Sequence, residues 1–218
     1  MPTTHLIPTR NLGTSEGQPP FTFIHDNPLA PEFASVIEPK TRVVAWAGWF
    51  DEAADPACAV FPSDHRLWTT GLDALRGAIA SLDPILVERD AYLSLRPACG
   101  LVLSDPHSIA ALLKEPPSER LRIQVDPIAM LTPEMASHAE DHLPRMLDKL
   151  GHFEACDAIV LAGGKPEDPG RMIHQPLDAS RPIDSALLAS WRESAFAARN
   201  VFVLTEDCRA LIQRERIA

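Results

Sequence analysis

Along this chain, short unbroken apolar runs alternate with stretches whose apolar residues recur every three or four positions. The alternation is weak at the start, where THLIPT and FTFIHD read as short strands on either side of the turn-rich NLGTSEGQPP, and FIHDNPLAPEFASVIEP reads as loop with at most one short helix. It sharpens at RVVAWAG (42–48), a β-branched and aromatic run closed by glycine, which predicts a buried strand. After the polar stretch WFDEAADPACAVFPSDHRLW, Leu72, Leu75, Ile79 and Leu82 give helical spacing over about 70–82. Asp83-Pro84 then reads as cap and first-turn proline of a second helix, ILVERDAYLSLRPA. Three strand-then-helix units follow: GLVLSD with HSIAALLKE, LRIQVD with a helix opening at Thr132-Pro133, and DAIVLAGG with a loop and SALLASWRESAFAA. NVFVLTED closes the series, with CRALIQRER as its helix. Continuously apolar strands alternating with helices predict a parallel α/β sheet covered on both faces.

Composition narrows the partners. Thirty acidic against 20 basic residues give a net charge of −10, and no basic tract appears, which argues against nucleic acid or an anionic membrane surface as partner. Hydrophobic residues make up 45% of the 218, enough for a sizeable core and best matched to a single domain. The dispersed Cys58, Cys99, Cys156 and Cys208 form no C-x-x-C pair, so they read as reduced thiols of a cytoplasmic protein. MPTTHLIPTRNLG lacks a signal-peptide pattern, and no run is long enough to span a bilayer.

Three of the expected strands end in acids: Ser104-Asp105-Pro106, Asp126-Pro127 and Glu206-Asp207. On a barrel rim such carboxylates converge and suit a divalent cation, whereas singly each could merely cap the next helix. His138 and His142 share a helix face, but Ala139 stands where a zinc-protease motif needs Glu, so an exposed polar face is expected, with Pro144 limiting the helix. LAGGKPEDPGRM lacks Walker spacing and reads as a glycine-rich βα turn. His107, Lys165, Arg171 and His174 lie on or near rim loops and are the candidates for binding an anionic or hydroxylated ligand.

From Arg42 to Leu211 the order of segments resembles the xylose isomerase-like TIM barrels, the sugar phosphate isomerase/epimerase superfamily that also holds endonuclease IV. In that resemblance RVVAWAGWFDE takes the fourth strand, GLVLSDPHS the fifth, LRIQVDPIAML the sixth, DAIVLAGGK the seventh and NVFVLTED the eighth. It implies metal ligands at Asp126 and Glu206, with Asp105 or Ser104 at the fifth strand's glutamate. It also puts Leu161 and Ala129 where the family has histidines. A divalent Mn, Mg or Co held by carboxylates is what this set admits; zinc is disfavoured for want of histidines.

Residues 1–41 leave too little chain for three further β/α units, so the barrel is expected to be incomplete or irregular there, its wall open or supplied by another protomer or partner. Two functions fit. One is a metal-dependent isomerase or epimerase of a sugar or related hydroxy-carbonyl compound, with Glu206 and Asp105 moving protons. The other is an inactive barrel that binds a ligand or partner.

Overall fold

The computed structural model describes residues 10–11, 21–56, 60–167 and 170–203. The chain divides into two compact units, one of residues 16–124 and one of 1–15 with 125–218.

In the first unit, β2 (Phe21–Phe23), β3 (Arg42–Trp46), β4 (Tyr92–Arg96) and β5 (Leu121–Val125) lie side by side and all parallel. Helices α1 (Arg66–Thr69) and α2 (Gly71–Glu88) connect β3 to β4, and α3 (Pro106–Lys114) connects β4 to β5. RVVAWAG and LRIQVD are strands as their composition predicts, but the segment between them differs from the sequence reading in two places.

First, α2 is one helix and not two. Leu75, Ile79, Leu82 and Leu86 form a single buried stripe that passes Pro84 without a break. A proline inside a helix costs about 3 kcal/mol. Burying each leucine or isoleucine yields about 1.5–3 kcal/mol, so the stripe outweighs it. The helix stops instead at Asp90, whose φ of 49° is left-handed, a conformation that aspartate tolerates better than most residues.

Second, the strand of this region is YLSLR and not GLVLSD. Leu101, Val102 and Leu103 are buried, but in irregular chain whose amides bond to Gly48 and Ala98 carbonyls. The turn forms at Gly100, where φ is +83° and a Cβ would stand 2.1 Å from the Phe61 carbonyl oxygen. A four-residue apolar run carries no period that separates a strand from a buried turn.

Nor are the two sheet faces alike. Val43, Ala45, Leu93, Leu95, Leu121 and Ile123 point one way and are fully buried. The alternate positions carry Arg42, Val44, Trp46, Ser94, Arg96 and Gln124, also buried. The second face is therefore polar and aromatic.

The second unit contains the short helix α4 (Pro133–Ala136), α5 (Ala139–Gly151), β6 (Ala158–Leu161), the hairpin β7 (Gly163–Glu167) with β8 (Arg171–Gln175), α6 (Pro182–Glu193) and β9 (Asn200–Val203). Thr132 caps α4 through its hydroxyl, as Thr132-Pro133 predicts. Pro144 lies within α5 and does not end it; Leu143, Met146, Leu147 and Leu150 hold that helix down. β6 and β9 are parallel.

On the other side of β9 lies β1 (Arg10–Asn11), antiparallel to it. A closed barrel puts a parallel strand beside its last strand. THLIPT and CRALIQRER lie outside the described residues.

Candidate functional site

The chain leaves β5 at Asp126 and turns at once, because Pro127 cannot donate to a continuing ladder. Asp126 is fully buried. Its Oδ1 accepts the Ala129 amide at 3.1 Å, closing a tight turn over residues 127–130. The same oxygen lies 3.0 Å from His174 Nε2. A carboxylate only accepts, so an ionised Asp126 fixes the proton of a neutral His174 on Nε2 and leaves Nδ1 as the ring's lone-pair nitrogen. The His174 side chain is itself 11% exposed.

His174 reaches Asp126 because LAGGKPEDPGRMIHQ is a β-hairpin, not the loop its glycines and prolines suggest. In β8, Met172 and His174 share one face, and His174 stands opposite Gly164 of β7. That face lies against the 126–131 turn: a Cβ on Gly164 would come within 3.0 Å of Ile128 Cδ1 and of Met172 Cε. Gly163 is tighter still, its hypothetical Cβ 2.5 Å from Arg181 and Asp184 atoms and 2.7 Å from the Pro176 carbonyl oxygen. The glycine pair thus serves close backbone packing and not a phosphate cradle.

The hairpin is anchored by Asp184 on α6. This buried carboxylate accepts the Gly164 amide at 3.0 Å, the Asp178 amide at 2.9 Å and Arg181 Nε at 2.8 Å. Gln175 Nε2 returns a bond to the Gly164 carbonyl at 2.9 Å. The strand facing His174 is therefore held from both of its polar groups. Asp184 carried no signal in the sequence, where it reads as an ordinary first-turn acid.

The other candidate residues are placed differently. Asp105 is the N-cap of α3: its Oδ1 accepts the His107 and Ser108 amides, and Ser108 Oγ completes a capping box. Helix capping accounts for this carboxylate. His107 is exposed in the first turn of α3. Lys165 and Arg171 lie on the hairpin face opposite to His174, Lys165 exposed and Arg171 bonded through Nε to Glu167 at 2.8 Å. Of the proposed binding residues, His174 brings its ring to a predicted acid, Asp126.

Glu206 and Asp207 lie outside the described residues. The strand before α3 ends at Arg96 and not at Ser104 or Asp105, and this buried cation stacks on Trp46 and Phe23. Leu161 is buried and apolar, as its identity requires.

No group of three or more His, Cys, Asp or Glu side chains able to hold a metal stands among the described residues. Burial pushes the Cys99 and Cys156 thiols up, to about 11 and about 12, so neither is a ready nucleophile at neutral pH. No helix among the described residues is long and apolar enough to cross a membrane.

No family model and no curated protein sequence matches the chain. Among solved structures, a D-tagatose 3-epimerase-like protein matches 91% of this chain and 79% of its own, with a TM-score of 0.57 at 13% identity. A xylose isomerase domain protein from Planctomyces limnophilus matches 81% of this chain at 10% identity with a TM-score of 0.49; the chain spans 56% of that protein's length. At these identities the likeness concerns the fold. The chain has the xylose isomerase-like TIM-barrel fold, α/β and incomplete, with β2, β3, β4, β5, β6 and β9 as its parallel strands among the described residues.

Proposed function

We propose that the chain is a divergent isomerase or epimerase of a carbohydrate or related hydroxy-carbonyl compound, and that Asp126 and His174 are its proton-handling pair. The observation that carries this reading is the 3.0 Å contact between the buried carboxylate at the end of β5 and the imbedded imidazole of β8. His174 Nδ1 would take the proton from the carbon beside the substrate carbonyl, and the electron pair of that C–H bond would move to the carbonyl oxygen as an enediolate. Return of that proton by His174 to the neighbouring carbon, with the hydroxyl proton passing to the former carbonyl oxygen, would give an isomer; inversion at the same carbon would take a second acid on the opposite face. Asp126 would hold the ring in place and stabilise the imidazolium formed in between.

Of the carboxylates that the resemblance implies for a divalent metal, Asp126 and Asp105 lie among the described residues and Glu206 outside them. Asp105 is committed to a helix cap, and the buried Arg96 occupies the β4 end. Asp126 and His174 are the two described side chains that would face such an ion, and no step above passes through one.

A second reading, a binding protein on an inactive scaffold, is favoured by Leu161 standing where the resemblance puts a histidine and by Asp105, where it puts a glutamate, serving as a helix cap. Deuterium wash-in from D2O, followed by NMR over a panel of aldoses and ketoses with and without added Mn or Mg, separates the two. Exchange that Asp126→Asn and His174→Gln both abolish supports the enzyme. Absence of exchange from every sugar, with the protein folded, overturns it in favour of the binding protein.

A further inference from the structure

Helix α2 lacks the charged outer side that a surface helix normally has. Leu75, Ile79, Leu82 and Leu86 are its buried stripe. On the outward side Ala74, Gly77, Ala80, Ser81, Pro84 and Val87 are exposed, and none of them is charged. The two charged residues of this stretch are engaged elsewhere. Arg76 donates to the Ala111 and Glu115 carbonyls at the end of α3, and Asp83 accepts from the Ser118 hydroxyl. The outward side of α5 is of the usual kind, with Glu140, Asp141, Arg145 and Asp148 exposed.

The large hydrophobic side chains most open to solvent among the described residues are Trp68 and Val87, 74% and 55% exposed. They flank this same stretch, Trp68 on α1 just before it and Val87 at its end. Gly77 stands midway between them. Glycine weakens a helix interior relative to alanine, and a Cβ at Gly77 would meet nothing within 4 Å, so no contact among the described residues calls for it. At that point the backbone of another helix can come close.

We propose that this face of α2 docks on the α2 of a second copy of the chain, antiparallel about a two-fold axis at Gly77. Charge selects the occupant. With a net charge of −10, two copies repel unless the surfaces that meet are neutral, and this face is neutral from Ala74 to Val87. The antiparallel register brings Trp68 of one copy opposite Val87 of the other, and the exposed Glu88 opposite the exposed Arg66, unlike charges at each end of the contact. A strongly basic or acidic partner would find no charge between Asp73 and Glu88 to pair with.

Sedimentation velocity of the full chain from about 1 to about 200 µM tests it, since a helix pair is a small interface and self-association in the micromolar range is expected. Gly77→Glu adds a side chain into open space in the single chain, so the unfolding midpoint of dilute protein should stay; it sets two like charges together at the axis and should weaken association at least tenfold. Trp68→Ser should weaken it by a similar factor. Acrylamide quenching of tryptophan fluorescence should fall as wild-type protein is concentrated, and not as Gly77→Glu is. A dimer that Gly77→Glu and Trp68→Ser leave intact overturns the assignment to α2. Wild-type protein that stays monomeric over the whole range overturns the self-docking itself.

Discussion

Asp105-Pro106 and Asp126-Pro127 are the same dipeptide after the same kind of apolar run, yet the chain uses them differently. Asp105 is half-buried and spends its Oδ1 on two amides of the helix it starts. Asp126 is fully buried; it too accepts an amide, that of Ala129, but the same oxygen meets an imidazole brought from 48 residues away. Capping and site chemistry are therefore not alternatives for Asp126. The cap fixes where the carboxylate points, and the hairpin supplies what it points at. An aspartate at the start of a turn becomes a site when a distant element closes over it.

The sharpest way to break this contrast is by activity. Asp126→Asn keeps a capping group but cannot stabilise an imidazolium. It should lower deuterium exchange by a hundredfold or more, the usual worth of a positioned acid–base group, whereas Asp105→Asn, also a good cap, should leave exchange unchanged. Equal loss in both would remove the distinction.

The next largest effect is expected at Asp184, which holds the hairpin that carries His174. Asp184→Ala strands the Gly164 and Asp178 amides and the Arg181 guanidinium, and should cost about 3 kcal/mol in urea unfolding. In the folded fraction, the His174 imidazole resonances should move while those of His107 stay.

Asp126→Ala leaves the nearly buried His174 and the Ala129 amide without their acceptor and should cost about 2 kcal/mol in the same urea experiment. Asp105→Ala forfeits a helix cap alone, at about 1 kcal/mol. A larger loss at Asp105 than at Asp126 would reverse the burial argument. The smallest effect is predicted for Lys165→Ala: an exposed residue on the far face of the hairpin should change neither exchange nor the unfolding midpoint by more than about 0.5 kcal/mol.

Much of the architecture was legible because it is written locally. β-branched runs closed by glycine or aspartate gave β3, β5, β6 and β9, and Thr132-Pro133 and Pro106 marked helix starts. The errors have equally local causes. Pro84 looked like a helix start because a first-turn proline and an interior one have the same sequence neighbours; only the continuous stripe from Leu75 to Leu86 decides between them. GLVLSD looked like a strand because burial of Leu101, Val102 and Leu103 says nothing of their backbone direction. YLSLR was hidden by joining it to the helix before it, although its period-two alternation was present.

The site was legible only by half. Asp126 could be chosen from the sequence, since an acid directly after a buried strand in a parallel α/β fold lies at the end where ligands collect. His174 could be named as a candidate but not paired, because short strands rich in glycine and proline read equally well as a broken loop. Asp184 gave no sign at all.

The sequence by itself determined the alternation of strands and helices and the acid at the end of β5, because each depends on residues a few positions apart. Tertiary structure decided that His174 meets Asp126 and that Asp184 anchors the opposite strand. Those outcomes depend on register and on contacts between residues tens of positions apart, which no local period encodes.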